Sequence, residues 1–284
     1  MDSIWDYALI GFIAQLVDGS LGMGFGVISS AVLLAQGVPP PLVSASVNAA
    51  KLPTGGTAAL SNLFHRNIDW RIVGALAVFG SIGGILGATL LSGLKGHALQ
   101  YLVNFYLVLM GSYIVYRGIY GIAIKVVKTR RFQGIGFAGG VIEGIGGSWG
   151  PIVNTGLLGS GVESRYAIGS TNFSEFIVSF VVFVALGVAY YFGWWGEETD
   201  WSQVRMTVFG LALGGLPAAF FGGYLAKMAP RRPLTIAVGL FALGVAVYRL
   251  ATMLSPMRRA DACLWLLSGA FTLGLTFRQK LRQA

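Results

Sequence analysis

The 284 residues are 55% hydrophobic and 11% charged, with 42 glycines and a mean hydropathy of +0.71, a balance that excludes an ordinary soluble domain and places the chain in a bilayer. The formal net charge of +9 does not make a nucleic-acid binder, because the basic residues stand in short loops beside apolar runs, where they set topology rather than line a groove. A lone cysteine, Cys263, excludes an intrachain disulfide, a multi-cysteine metal site and a CxxC redox pair, and its apolar surroundings assign it to packing.

The opening Met1 to Asp6 carries two acids and no basic stretch, so the first apolar segment is read as retained rather than cleaved. Tyr7 to Val17 is apolar for 11 residues, about 16 Å of helix, which reaches only the bilayer midplane. It meets Asp18-Gly-Ser-Leu-Gly-Met-Gly-Phe-Gly26, and Val27 to Gln36 is again half a span. A carboxylate followed by glycines is a poor lipid-facing helix, and unwound backbone at this depth is tolerated only inside protein or along a cavity. Pro39, Pro40 and Pro41 end this hairpin and start the next helix. That helix carries Ser46, Asn48 and Lys51 on a face that must point inward. The uncharged runs Ile72 to Leu94 and Ala98 to Tyr116 are each long enough to cross.

After a basic linker at 125–131 the pattern returns. Phe132 to Ile142 leads into Glu143-Gly-Ile-Gly-Gly-Ser-Trp-Gly-Pro151, then Ile152 to Ser160, then Ser170-Thr171-Asn172-Phe-Ser174-Glu175. Crossings over Phe176 to Trp195 and Met206 to Ala226 follow. Gly11-Phe12 matches Gly136-Phe137, and Asp18-Gly19 matches Glu143-Gly144, at an offset of 125. Ser46, Asn48 and Lys51 face Ser170, Asn172 and Glu175 at 124, and Asp69-Trp70 faces Asp200-Trp201 at 131. Chance glycine enrichment does not also order acid, asparagine and Asp-Trp, so a duplication is the simplest account.

Loop charges choose between a re-entrant hairpin and an interrupted crossing. If each broken segment turns back, 14 of the 20 basic residues share one side, which is then cytoplasmic. Each repeat is then a hairpin plus three crossings, an odd number, so the copies are inverted. With Ala262 to Phe277 as a last short crossing, the reading is an all-α membrane protein of seven spans and two hairpins. Its units are a first repeat at 1–124, the linker, a second repeat at 132–255, and an extra helix with a basic tail at 256–284. The N-terminus is expected outside and the C-terminus inside. Trp5, Trp70, Trp194, Trp195 and Trp201 read as interface anchors, and the glycines between Gly80 and Gly87 and between Gly210 and Gly222 as close helix packing.

In each hairpin the second half-helix begins at the midplane, with its positive dipole end and free N–H groups aimed at the protein centre. Gly22, Gly24 and Gly26, with Gly147, Ser148, Trp149 and Gly150, are therefore expected to meet a small anion. Ser46, Asn48, Ser170, Thr171 and Asn172 are candidate donors to its oxygens, and Lys51 a candidate countercharge. Lys51 paired with Glu175 as a structural bridge between the repeats is the competing reading. Asp18 and Glu143, with Glu175, are candidates for proton coupling, and capping of the adjacent N–H groups is the alternative for the first two. Lys51→Ala and Asn172→Ala are expected to abolish transport without blocking insertion.

The acidic glycine-rich break early in each half, the Gly-Val and Ser-x-Asn segment after it, and Asp-Trp before a glycine-rich span resemble the TauE/SafE family of sulfite and organosulfonate exporters, from Gly11 to about Arg249. The resemblance implies a permease of the bacterial inner membrane that exports sulfite or a C2 sulfonate. The expected partners are that anion and the lipid, with no nucleic acid and no cofactor; a homodimer stays open. An anion channel is the first alternative, and a membrane-embedded enzyme subunit the second. The halves differ where Lys51 faces Glu175 and where Phe25-Gly26 faces Gly150-Pro151, so the site is expected to be asymmetric.

Overall fold

The computed structural model describes residues 3–121, 130–195, 201–228 and 231–254, which form helices joined by short breaks and turns. In order the helices are α1 (Ile4–Leu21), α2 (Phe25–Ala35), α3 (Pro40–Phe64), α4 (Trp70–Gly93) and α5 (Gly96–Tyr120). Then come α6 (Arg130–Gly146), α7 (Trp149–Gly159), α8 (Ser164–Tyr191), α9 (Trp201–Met228) and α10 (Arg231–Leu254). The expected last crossing at Ala262 to Phe277, Cys263, and most of the basic linker lie outside the described residues.

Both breaks are shorter than the sequence suggests. Helix α1 begins at Ile4 and continues through Asp18 to Leu21, and α6 runs from Arg130 through Glu143 to Gly146, about 27 and 26 Å of helix. The carboxylates do not stop these helices because each turns forward to the N–H of the next helix instead of facing lipid. What ends them is a left-handed residue that only glycine adopts cheaply, Gly22 at φ 67° and Gly147 at φ 68°. Each N–H closes the last turn, Gly22 onto the Asp18 carbonyl at 2.6 Å and Gly147 onto the Glu143 carbonyl at 2.7 Å. The half-span estimate holds for α2 and α7, at 11 residues each.

Packing follows the repeat. Helix α1 lies along α9 and α6 along α4, so each broken segment rests on a helix of the other half. A Cβ on Gly214 would overlap the Ala8 carbonyl, and one on the matching Gly83 would overlap the Phe137 carbonyl. Small residues here allow the backbones to touch. Repeat-equivalent helices that pair run antiparallel. On α3 and α8, Lys51 meets Glu175 while Asn67, just past α3, meets Gly169. On α5 and α10, Gly118 meets Ile236, Gly111 meets Leu243, and Asn104 meets Met253.

Among the described residues, four helical segments are long and apolar enough to cross a membrane: α4, α5, α8 and Arg232–Met253 of α10. Their outward faces carry exposed Leu86, Phe105, Phe180 and Phe241, a surface that water would not tolerate in such number but lipid covers. Trp5, Trp70 and Trp194 are exposed at helix ends, as interface anchors require.

Candidate functional site

The two breaks touch. A Cβ on Gly26 would overlap the Gly147 carbonyl oxygen, and one on Gly150 would stand 2.8 Å from the Gly22 carbonyl. Each second half-helix is capped by the acid of its own break: Asp18 accepts from the Phe25 N–H at 3.2 Å, and Glu143 from the Trp149 N–H at 2.6 Å. The capping reading of both acids is therefore realised in the geometry.

Lys51 joins the halves. Its ammonium lies 2.9 Å from Glu143 Oε1, 2.7 Å from Glu175 Oε1 and 2.6 Å from the Gly147 carbonyl, which occupies all three N–H bonds. The bridge to Glu175 weighed from the sequence is present, with Glu143 as a second carboxylate. Glu143 itself is fully buried and also accepts from Ser179 Oγ at 2.9 Å.

The second break is sealed. A helix end leaves carbonyls without intrahelical partners, and here side chains supply the donors. Ser44 reaches the Gly144 carbonyl at 2.9 Å, and Ser30 and Tyr106 reach that of Gly146 at 2.6 and 3.1 Å. Ser148 and Tyr106 form a very short hydroxyl pair. Trp149 is fully buried against Gly80 and Gly139, in the core rather than against an open site.

The first break is open. A cavity of about 510 Å³ begins at Asp18, Gly22 and Met23 and runs between the later turns of α3 and the early turns of α8, past the ends of α5 and α7. Of the residues expected at the site, it is lined by Asp18, Gly22, Lys51, Asn172 and Glu175. Asn172 makes no side-chain hydrogen bond to another described residue. The others stand behind the wall. Gly24 and Gly26 are buried under the contact between the breaks, as are Gly147 and Gly150 on its other side. Asn48 is fully buried and donates to the Ser44 carbonyl at 2.9 Å, serving α3 itself. Ser170 accepts the Asp69 N–H at 3.0 Å, pinning the start of α4 onto α8, while Ser46 and Thr171 are buried. The reason is common to all: a face that avoids lipid need not face the cavity, since in a bundle of this depth most inward faces meet another helix.

Gln15, Asn154 and Arg117 are among the lining residues that escaped the sequence reading. Gln15 sits one turn before Asp18, where an apolar run hides it. Asn154 lies three residues after Pro151 and donates to the Gly22 carbonyl at 3.3 Å, so one break braces the other. A polar residue in an otherwise apolar half-helix was the available signal. Arg117 counted only as a loop charge, yet it turns inward and lines the cavity.

With this geometry in view, comparison with known proteins is informative. The family model described as sulfite exporter TauE/SafE matches residues 7–210. The probable membrane transporter protein YtnM of Bacillus subtilis (strain 168) is 35% identical over 245 residues, covering 83% of this chain and 78% of that protein. No solved structure gives a significant match. The extent of the family match and the similarity to a membrane transporter over most of both chains agree with the broken, apolar, glycine-packed helices, and this chain belongs to the TauE/SafE sulfite exporter family.

Proposed function

We propose that the chain is a secondary transporter of the bacterial inner membrane that exports small sulfur-containing anions, such as sulfite or a C2 sulfonate, through the cavity at the first break. The observation that carries this reading is a hollow of about 510 Å³ at the end of a broken helix, inside a lipid-facing bundle, with Asp18, Lys51, Arg117, Asn172 and Glu175 in its wall. Unwound backbone at a membrane cavity is the arrangement transporters use to hold charged substrates. Asn172 and Asn154 stand ready to donate to anion oxygens.

Alternating access is supported by what is closed as much as by what is open. The cavity walls are the ends of α3, α5 and α7 and the start of α8, all on the side of the basic loops. Two repeat-equivalents of its lining, Glu143 for Asp18 and Asn48 for Asn172, are completely buried, whereas the equivalent pair Lys51 and Glu175 shares the cavity. Antiparallel pairing of α3 with α8 and of α5 with α10 favours inverted repeats and re-entrant breaks, and the loop charges then favour an outside N-terminus and an inside C-terminus. In such a protein, exchanging the conformations of the halves opens the other set toward the opposite face.

Coupling to protons has a charge argument. Asp18, Glu143 and Glu175 set three negative charges against the two positive charges of Lys51 and Arg117, a net of −1 if all ionise. An anion enters such a site more easily with a proton. Glu143 is spent on Lys51, Ser179 and the Trp149 N–H, whereas the Asp18 and Glu175 side chains face the cavity. Those two are the carriers in this reading.

A channel needs a continuous pore, and the sealed second break argues against one. Reconstitution tests the choice: saturable sulfite counterflow in proteoliposomes, lost in Asn172→Ala, is expected of a transporter, and linear, non-exchanging flux would overturn it. Thermal stabilisation across sulfite, sulfonates, carboxylates and phosphate tests the substrate class, because a ligand of the folded form raises its apparent stability. A carboxylate stabilising more than every sulfur anion would reject the sulfur assignment.

A further inference from the structure

We propose that Arg117, and not Lys51, is the cation that receives the anion; this rests on the transport reading above and assigns the charged contact of that site. Lys51 has no donor left. Its three N–H bonds are directed at Glu143, Glu175 and the Gly147 carbonyl, so an anion reaching it must displace a buried carboxylate.

Arg117 is placed differently. An arginine in the last turn of a helix ordinarily marks the cytoplasmic side and points into water. This one is half-buried, lines the cavity, and crosses 94 residues of sequence to bring Nη1 within 2.6 Å of Met23 Sδ in the first break. Among the described residues no carboxylate pairs with it. A thioether is a weak acceptor, and a guanidinium carries five N–H donors in a planar fork, so the contact holds the group in position while leaving most of its donors unspent. That fork matches two oxygens of a sulfite or sulfonate, and an oxyanion displaces a thioether at little cost. The same cavity is lined by Asn172, whose amide makes no side-chain hydrogen bond to another described residue. The anion is thus held between Arg117 and the open break, with Lys51 behind as a structural tie.

The test is equilibrium binding of sulfite and of acetate to the purified full-length chain in detergent, for wild type, Arg117→Gln, Arg117→Lys and Met23→Leu. Arg117→Gln is expected to weaken sulfite binding roughly tenfold or more, the loss of a charge-assisted hydrogen bond. Arg117→Lys keeps the charge without the fork and is expected to lose part of the preference for sulfite over acetate. Met23→Leu removes the sulfur contact that positions the guanidinium and is expected to weaken sulfite binding, by less than Arg117→Gln does because a thioether is a weak acceptor; a loss larger than that of Arg117→Gln would overturn the assignment. Wild-type affinity in Arg117→Gln would overturn the assignment and leave the transport reading standing. Failure of the wild type to bind any sulfur anion would overturn both. Should Arg117→Gln not yield folded protein, an unchanged sulfite-to-acetate ratio in Arg117→Lys overturns the assignment by itself.

Discussion

Lys51 is the residue on which most of the buried polar structure converges. It ties α3 to the end of α6 and to α8, with a side chain only 7% exposed. Removing one partner of a buried pair leaves the other charge uncompensated, which costs about 3–5 kcal/mol. Lys51→Ala is therefore expected to lower the unfolding temperature in detergent as well as to abolish flux, and unchanged melting would contradict the tie described here. This alters what the variant means: loss of transport in Lys51→Ala reports a broken scaffold, whereas Asn172→Ala removes a group that holds no other described residue. From sequence, the pairing of Lys51 with Glu175 was legible because they share a repeat position. Its second bond, to Glu143, was not, because nothing in spacing reveals which neighbour a buried ammonium turns toward. The same limit hid the inward turn of Arg117, whose loop-side position reads as a topology charge.

At the scale of elements, the helices and their breaks were readable while their exact ends were not. The acid-glycine pairs located both breaks, yet Asp18 and Glu143 lie inside α1 and α6. An acid that caps the following helix need not end its own, and hydropathy alone treats it as a terminator. Glycine spacing on α4 and α9 announced close packing and the structure supplies the partners, α6 and α1. Because Gly83 and Gly214 occupy equivalent places, with an opposing carbonyl where a Cβ would go, Gly83→Val and Gly214→Val should be comparably damaging. Overpacking of this kind costs about 1–3 kcal/mol and often more where backbone blocks relaxation. The monodisperse fraction after solubilisation should fall for both. A marked loss in one with none in the other would refute their equivalence.

For the whole molecule, two breaks in contact but unequal in access are the organising fact. In the second, the Gly144, Gly146 and Gly147 carbonyls are met by Ser44, by Ser30 with Tyr106, and by Lys51, while the first ends in a cavity. The family was legible from the motifs along the chain, but which break is open was not, since both breaks carry an acid followed by glycines. That choice lives in side-chain packing across the interface: Trp149 fills the core on one side where Met23 meets Arg117 on the other. The central claim is that the open hollow holds the anion, with Asn172 in its wall. Isothermal titration of sulfite and ethanesulfonate into purified wild type and Asn172→Ala tests it most directly. The account predicts saturable binding by the wild type and a weakening of roughly tenfold in the variant, the loss of a hydrogen bond to a charged ligand; equal affinity in the two proteins would contradict it.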